Sequence, residues 1–200
     1  MSNGVAIIDS GGANIASLLY GFQRLGTNAR LTSDADEIRA ADRVVLPGVG
    51  AARDAMQRLR EHRLVDVIRG LTQPVLGICL GMQLLADGSE EDDVDCLGIL
   101  PGVATRLPAD NDFPVPNMGW CPLDLQQQHG ILDGIAPGEY FYFLHSYALQ
   151  VSDLTLASAR HAAPFSAIVA KDNFVAAQFH PERSSSAGAR LLKNFLGLSS

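Results

Sequence analysis

One cysteine of the chain, Cys79, stands in a setting that favours nucleophilic chemistry. It lies between Gly77 and Gly81, after the apolar residues 74–76 and before residues 82–86, whose composition is typical of a helix. A nucleophile at a sharp strand-to-helix turn, with a glycine two residues away on each side, is the pattern of a nucleophile elbow. The glycines are needed because the turn is strained and the neighbouring backbones pack too closely for a β-carbon. At a helix N-terminus the sulfur meets the positive end of the dipole, which favours the attacking thiolate.

A cysteine nucleophile needs a base, which is usually a histidine held by a carboxylate. Three of the five histidines lie in charged or polar stretches and are predicted to be on the surface: His62, His129 and His161. His145, within an aromatic run, is a better candidate. His180 is better still, because the apolar run that ends at Phe179 brings it to a strand end and an acid follows two residues later.

That acid is Glu182, in the sequence His180-Pro181-Glu182. Pro181 disfavours helical backbone at His180, and in an extended stretch residues two apart point to the same side. Glu182 would then bond one imidazole nitrogen while the other nitrogen faces Cys79. The three residues could also form an ordinary turn with a favourable acid at a helix start. Together with the elbow, they favour a catalytic triad of Cys79, His180 and Glu182.

Acyl transfer through a tetrahedral intermediate also needs N–H donors for the developing negative charge, each contributing about 3 kcal/mol. The elbow offers the backbone N–H of Leu80. The loop at residues 47–50 could offer the second donor, because Gly48 and Gly50 around Val49 permit a peptide rotation that turns an N–H inward. Gly48 and Val49 are therefore the other oxyanion candidates, and we expect Gly48→Ala to impair such a rotation. A dinucleotide fingerprint is not predicted there, since Arg53 replaces the third glycine.

Composition and charge exclude several classes of function. The 200 residues are 47% hydrophobic and 18% charged, which predicts one globular domain over residues 1–200. A net charge of −7 without a basic run argues against binding to nucleic acid or to a membrane surface. The chain has neither a membrane-length apolar run nor a signal-peptide pattern, so we expect a cytoplasmic protein.

The other two cysteines, Cys96 and Cys121, are expected to be structural. Together with Cys79 they have neither a C-x-x-C pair nor a metal-ligand spacing, so reduced thiols and no metal site are predicted.

The first half of the chain alternates predicted strands and helices. The strands are expected at residues 5–9, 29–32, 43–46 and 75–78, and the helices at residues 14–25, from about 51 and after Cys79. This alternation predicts an α/β fold with an open, mostly parallel sheet flanked by helices. Such a sheet binds its ligand at the carboxyl ends of the strands, where the 47–50 loop and Cys79 lie.

The second half is predicted to add antiparallel or mixed strands to the same domain. Residues 89–95 are interpreted as a solvated acidic loop, and residues 184–196 as a closing amphipathic helix. Short β-like runs, separated by Gly, Pro and Asp, lie between them at residues 99–107, 119–125, 140–151, 154–159, 167–170 and 174–179.

Two segments about a hundred residues apart closely resemble the triad-type (class I) glutamine amidotransferases. They are residues 77–85 (GICLGMQLL) and residues 178–184 (QFHPERS). The resemblance implies a flavodoxin-like amidotransferase fold without a cofactor. It also implies hydrolysis of L-glutamine to glutamate and ammonia through a thioester on the cysteine. The positions that it assigns to substrate binding are Gln83, Gly50, His145, Ser146 and Tyr147.

Within that superfamily, further segments resemble the glutaminase subunits of imidazole glycerol phosphate synthases. These segments are residues 46–51 (LPGVGA), 115–120 (VPNMGW) and 142–147 (YFLHSY). The resemblance implies a heterodimer with a (β/α)₈-barrel cyclase, which uses the ammonia to form imidazole glycerol phosphate and AICAR in histidine biosynthesis. It implies a partner interface with Asn14, Met118 and Trp120, and a glutaminase that idles until the cyclase is loaded.

The chain departs from the pattern of these subunits in three segments, one of which has Ala176 and Ala177 where the family has a glycine before the Gln-Phe-His run. Residues 9–14 differ from the usual Gly-x-Gly-Asn-Leu turn, and Asn117 and Cys121 replace the usual His and Asn beside the Met-Gly-Trp run.

Three alternatives remain at this point. The chain could be the glutaminase subunit of another synthase, such as pyridoxal phosphate synthase or anthranilate synthase. It could be a cysteine hydrolase of related fold, although the His-Pro-Glu near the end and the Gln after the elbow are not expected there. It could also be a non-catalytic relative, which the complete triad disfavours.

Overall fold

The computed structural model describes residues 4–11, 15–109 and 111–199. The strands are β1 (Val5–Ile8), β2 (Ala29–Thr32), β3 (Arg43–Gly48), β4 (Val75–Cys79), β5 (Ala86–Ser89), β6 (Val94–Asp95), β7 (Leu100–Arg106), β8 (Asn117–Pro122), β9 (Asp124–Leu125), β10 (Tyr140–His145), β11 (Tyr147–Ala148), β12 (Thr155–His161), β13 (Ala163–Lys171) and β14 (Phe174–Ala177). The helices are α1 (Ile15–Arg24), α2 (Ala35–Ala40), α3 (Ala52–Glu61), α4 (Val65–Arg69), α5 (Leu80–Leu85) and α6 (Ser185–Gly197).

The main sheet has eight strands in the order β2-β1-β3-β4-β14-β13-β12-β9. The first five strands of that order are parallel to their neighbours, and the last three add antiparallel pairs. The predicted α/β class is therefore confirmed. The last strand of the chain, β14, lies directly beside β4, so the segment that follows it reaches the end of the strand that carries Cys79.

Both faces of the parallel sheet are covered, which explains its nearly continuous apolar strands. Successive residues of β1 belong to different core clusters, Ile7 to one and Ile8 to the other, as alternation along a strand requires. One cluster includes Phe22 of α1 and Phe195 of α6, and the other includes Met56 of α3. Two hydrophobic layers thus hold the sheet between helices.

The second half builds two smaller sheets beside the main one. Strands β8 and β10 form an antiparallel ribbon, and β11, β7, β5 and β6 form a four-stranded sheet. The predicted strands 119–125 and 140–151 are each divided, because their two parts pair in different sheets. The predicted acidic loop 89–95 is wrong in part, since β5 and β6 pair as a hairpin across it.

Two short helices, α2 and α4, were not predicted, because five or six residues carry less than two turns of periodicity. A signal for α2 exists in Asp34, whose side chain accepts hydrogen bonds from the backbone N–H groups of Asp36 and Glu37. The predicted helix 14–25 is observed as Ile15–Arg24, and Asn14 lies outside the described residues. Within the described ranges, no helix is long and apolar enough to cross a membrane.

Candidate active site

Cys79 ends β4 and begins α5 in a strained backbone conformation. Its φ of 53° and ψ of −113° are unusual for a residue with a side chain, as a nucleophile elbow requires. The close packing that the sequence predicts is also present. A β-carbon on Gly81 would lie 1.8 Å from the carbonyl oxygen of Leu46, so only glycine fits there. The turn that presents the sulfur therefore depends on direct contact between the backbones of α5 and β3.

His180 reaches the elbow because β14 runs parallel to β4. Ala177 is in register with Ile78, so the two strands deliver His180 and Cys79 to the same edge of the sheet. His180 is only 4% exposed, and its Nδ1 lies 2.9 Å from Oε1 of Glu182. Because a carboxylate only accepts hydrogen bonds, Nδ1 carries the proton, and Nε2 is the ring nitrogen left to interact with the Cys79 side chain.

Glu182 bonds His180 as predicted, but the predicted extended backbone between the two residues is wrong. His180 is extended, but Pro181–Arg183 forms a 3₁₀ turn in place of a continued extended stretch. The turn brings Glu182 back under His180. Buried Ser184 holds this turn in place, since its Oγ donates to the carbonyl of His180 at 2.7 Å and accepts from the N–H of Tyr142 at 3.0 Å.

The surroundings of His180 favour its protonated form. Burial lowers the pKa of His180, but the hydrogen bonds to Cys79 and Glu182 and their negative charges outweigh burial and raise this pKa to about 10. An imidazolium beside a sulfur suits a thiolate nucleophile and an acid for the leaving group. Away from the site, burial raises the pKa of the Cys96 thiol to about 11, against an opposing effect of Arg60, and burial also raises the pKa of the Cys121 thiol.

The predicted 47–50 loop is shorter than expected because β3 continues to Gly48, which pairs with Cys79. A strand tolerates Pro47 here because β1 pairs with β3 only as far as Val45, so the missing N–H faces no ladder partner. The carbonyl of Pro47 instead accepts a 2.6 Å hydrogen bond from Oγ of buried Ser10. The segment that is not paired in the sheet therefore begins at Val49; we call residues 49–50 the free segment.

The three oxyanion candidates lie in different settings. Leu80 is the first residue of α5, so its N–H has no partner within the helix. Leu80 and half-buried Val49 both line the cavity beside Cys79, whereas Gly48 does not line it. Gly48→Ala is not the clean test that the sequence suggests, because a β-carbon there would lie 2.7 Å from Cβ of Leu80. Gly50, with a φ of +92° and no atom near its would-be β-carbon, offers a cleaner test.

The cavity beside Cys79 has a volume of about 340 Å³, near the lower end of the roughly 300–1,000 Å³ typical of small-molecule sites. All five positions that the sequence assigns to substrate binding line it: Gln83, Gly50, His145, Ser146 and Tyr147. Cys79 and His180 line it too, so a ligand in the cavity would contact both. In the described part of the chain, no three His, Cys, Asp or Glu side chains are grouped so that they could hold a metal ion.

The profile of the class-I glutamine amidotransferase family matches residues 6–198. The imidazole glycerol phosphate synthase subunit HisH 2 of Legionella pneumophila (strain Lens) is 51% identical over 196 residues, which are 98% of each chain. The HisH subunit of Haemophilus influenzae is 46% identical over 192 residues, 96% of each chain. The chain belongs to the HisH family of class-I glutamine amidotransferases.

Solved structures show the same amidotransferase fold. A putative GMP synthase protein from Thermoplasma acidophilum superposes with a TM-score of 0.74 and 20% identity, covering 96% of this chain and 92% of that one. A structure described as a glutamine amidotransferase gives a TM-score of 0.74 and 19% identity, covering 96% of this chain and 97% of that one. Both likenesses support the predicted fold.

Two groups near the cysteine of this amidotransferase were not predicted from the sequence. Glu91, from the acidic 89–95 segment, lines the cavity, and its carboxylate accepts a 3.1 Å hydrogen bond from the N–H of Ala52 at the start of α3. Gln178 is fully buried, and its Nε2 lies 3.9 Å from Sγ of Cys79. The signal for Gln178 was its place in the QFHPERS run, whereas nothing in the acidic run singled out Glu91.

Two histidines of the HisH-family chain differ from their sequence interpretation. His161, predicted to be on the surface, is 9% exposed, because Nε2 donates to the carbonyl of Pro114 at 2.7 Å and its ring packs against Phe113. His145 lines the cavity, but both its ring nitrogens are already hydrogen-bonded, to Asn117 and to the carbonyl of Tyr147. His62 is exposed and His129 is half-buried.

The ribbon of β8 and β10 presents aromatic and apolar side chains to solvent. Met118 is 68% exposed, Trp120 51% and Tyr140 56%. The ring of Trp120 meets that of Tyr142 edge-on, and the guanidinium of Arg183 lies 4.3 Å from the centre of the Tyr142 ring. We call Met118, Trp120, Tyr140, Tyr142 and Arg183 the ribbon face of this amidotransferase. It begins beside the cavity, which Arg183 also lines.

Proposed function

We propose that this chain hydrolyses L-glutamine at Cys79 and supplies ammonia to the cyclase subunit of an imidazole glycerol phosphate synthase. The observation that carries the proposal is the strained elbow of Cys79, which lies with the hydrogen-bonded His180–Glu182 pair at a cavity large enough for one amino acid. The HisH relatives, about half identical over nearly the whole chain, favour this synthase over pyridoxal phosphate or anthranilate synthase.

In the first half-reaction, the Cys79 thiolate attacks the side-chain amide carbon of glutamine and forms a C–S bond. The carbonyl π-electrons move to oxygen, where the N–H groups of Leu80 and of the Val49 region would stabilise the negative charge. His180 then gives its proton to the departing nitrogen, the C–N bond breaks, and ammonia leaves a thioester on Cys79. Glu182 acts through His180 by fixing its orientation and stabilising its charge.

In the second half-reaction, water replaces ammonia. Neutral His180 takes a proton from water as the oxygen attacks the thioester carbon, and collapse of the intermediate releases glutamate and the Cys79 thiolate. The imidazolium is thereby restored, so the cycle leaves the enzyme unchanged. The sum is glutamine plus water giving glutamate and ammonia.

The orientation of glutamine in the cavity follows from charge. The amide end must lie at Cys79, which leaves the charged amino acid end toward the far wall. Glu91 is the one carboxylate among the described residues that line the cavity, and a carboxylate pairs well with an ammonium group. We therefore assign Glu91 to the α-ammonium group of glutamine, with Gln83 and residues 145–147 along the sides.

We assign the ribbon face to the (β/α)₈-barrel cyclase. Large exposed aromatic and methionine side chains, with arginine, are the residue types enriched in protein interfaces. Met118 and Trp120, which the sequence assigns to the interface, belong to this face. Its position next to the cavity suits a transfer of ammonia across the interface, and the cyclase would use that ammonia to form imidazole glycerol phosphate and AICAR.

The test is glutamate release from glutamine by the purified chain, alone and with the cyclase subunit loaded with its ligand. We expect slow release by the isolated chain and strong stimulation by the loaded cyclase. Full activity that no cyclase changes would contradict the synthase assignment, and a cysteine hydrolase would release no glutamate in either condition.

A further inference from the structure

A series of hydrogen bonds between buried side chains links β8 to Cys79. Asn117 of β8 bonds His145, both His145 and Gln83 bond the carbonyl of Tyr147, and Gln83 bonds Gln178, whose amide points at the catalytic sulfur. The four side chains of this series are between 0% and 6% exposed. We call it the Asn117 network. It starts on the strand whose other side carries Met118 and Trp120.

The carbonyl of Tyr147 sets the direction of the first bonds of the network. A carbonyl only accepts, so the proton of His145 lies on Nδ1 and is donated to Tyr147 at 2.9 Å. Nε2 of His145 then accepts from the Nδ2 group of Asn117 at 3.1 Å, and Oδ1 of Asn117 accepts from the thiol of Cys121 at 3.7 Å. The Asn117 amide thus stabilises the Nδ1–H tautomer of His145.

The charge state of His145 agrees with this direction. Burial lowers the pKa of His145 to about 4; the bond to Tyr147 opposes burial, and the nearby positive charges of His161 and His180 add to it. Phe143 and Phe165 pack on the ring. Neutral His145 with its proton on Nδ1 is therefore the form present at neutral pH.

The second half of the network fixes the side chain of Gln83. Its Nε2 donates to the carbonyl of Tyr147 at 2.9 Å and to Oε1 of Gln178 at 3.2 Å, so both N–H groups are used. Oε1 of Gln83 is then the atom left to accept a hydrogen bond from a ligand. The carbonyl of Tyr147 serves His145 and Gln83 together, so a change in one bond alters the other.

We propose that Asn117 is a positioning residue for glutamine binding, which acts through the tautomer of His145, the Tyr147 carbonyl and the Gln83 amide. The inference rests on the proposed glutaminase function. Since Gln83 and Tyr147 would contact the unreactive part of glutamine, their displacement weakens ground-state and transition-state binding equally. The expected signature is a higher KM for glutamine with little change in kcat.

The variant that tests this directly is Asn117→Asp in the complex with the loaded cyclase. A carboxylate of nearly the same shape cannot donate to Nε2 and attracts a proton there, so it favours His145 with its proton on Nε2 or with both nitrogens protonated. We expect the KM for glutamine to rise about five- to tenfold, the change that follows from one lost neutral hydrogen bond, with kcat within about twofold of wild type. The ¹⁵N NMR signals of the His145 ring should report protonation at Nε2.

A matched control is Asn173→Asp. The Nδ2 group of Asn173 donates to the carbonyls of Leu71 and Gln73, at the end of the sheet opposite Cys79, so the same chemical change is made away from the cavity. Its KM for glutamine and the ring signals of His145 should stay at wild-type values. Asn117→His, which keeps a ring N–H donor at this position, should keep the Nδ1–H tautomer of His145 and a KM near that of wild type.

The outcomes separate this inference from the function on which it rests. A wild-type complex without glutaminase activity contradicts the function, whatever the NMR spectra show. An active wild type in which Asn117→Asp moves the His145 proton but leaves KM unchanged overturns the inference. So does a KM that rises equally in Asn173→Asp, or wild-type His145 with its proton on Nε2. If Asn117→Asp does not fold, failure of Asn117→His to keep the tautomer and the KM contradicts the proposal.

Discussion

At the level of single residues, two opposing effects decide the state of His180. Burial disfavours its positive charge, while Glu182 at 2.9 Å and the Cys79 side chain favour it, and the result is a pKa raised to about 10. The stabilisation from protonated His180 is then fully present below its unfolded-state pKa of about 6.5 and is lost as the pH rises through 10. Protonation thus favours both the folded site and the acid that the first half-reaction needs.

Glu182→Gln tests this electrostatic role. The amide keeps the shape but removes the negative charge and permits the wrong tautomer, so kcat should fall about 10²–10⁴-fold while the KM for glutamine changes little. The pKa of His180 should fall as well, which moves the alkaline loss of activity to lower pH. Steady-state rates from pH 6 to 10 measure both. A change confined to KM would instead assign Glu182 to substrate binding.

The proposed contact between Glu91 and the substrate ammonium group can be tested by comparing variants of Glu91 and of its neighbour Glu90. Glu91→Gln keeps an acceptor for the N–H of Ala52 but removes the charge assigned to the substrate ammonium, so the KM for glutamine should rise about tenfold or more. Glu90→Gln is the control, because Glu90 accepts from the N–H of Arg106 and does not line the cavity. Equal KM values for the two variants in steady-state assays would refute the role of Glu91.

At the level of elements, the site forms where three parallel strands end together. The ends of β3, β4 and β14 bring Val49, Cys79 and His180 to one edge of the sheet. Periodicity and glycine spacing were enough to predict β4, its elbow and the strand before His180. They could not give the order of the strands, because the pairing of β14 with β4 joins residues about a hundred positions apart. The extension of β3 through Pro47 could not be predicted either, because it is possible only where β1 no longer pairs with β3.

The free segment after Gly48 is the element where control by the partner should act. Gly50→Ala meets no clash, but a side chain at a φ of +92° costs about 1 kcal/mol or more and restricts rotation of the peptide before it. We expect the cyclase to bind normally and to stimulate glutaminase activity less. Gly102→Ala, at a φ of +109° with no neighbouring atom and outside the cavity, is the control. Normal stimulation of Gly50→Ala in initial-rate assays would exclude the segment as a switch.

At the level of the whole molecule, the cavity and the ribbon face are adjacent surfaces of one α/β fold. The cavity residues come from segments near positions 50, 80, 91, 116, 145 and 180. A sequence motif marks five of these segments, and they could be found without a structure. The segment of Glu91 could not, because an acidic run is typical of a solvated loop, and only the pairing of β5 with β6 and the cap on α3 bring Glu91 to the cavity.

The ribbon face contains the only tryptophan of the chain, so its own fluorescence reports docking. Cyclase binding should change the emission of Trp120, and Trp120→Ala should weaken the complex by about tenfold or more, as loss of a buried aromatic at an interface does. Leu31→Ala, which removes another exposed apolar side chain, should leave affinity unchanged when titrated by calorimetry. Equal affinities for both variants would contradict docking on this face.

We propose that Cys79 makes the ammonia that a separate synthase reaction uses. Product formation tests this in the reconstituted complex of Cys79→Ala with the cyclase, supplied with either glutamine or an ammonium salt. We expect no glutamine-dependent product and a wild-type rate with ammonium, because only the thioester step is lost. Glutamine-dependent product from Cys79→Ala would exclude Cys79 as the source of the ammonia.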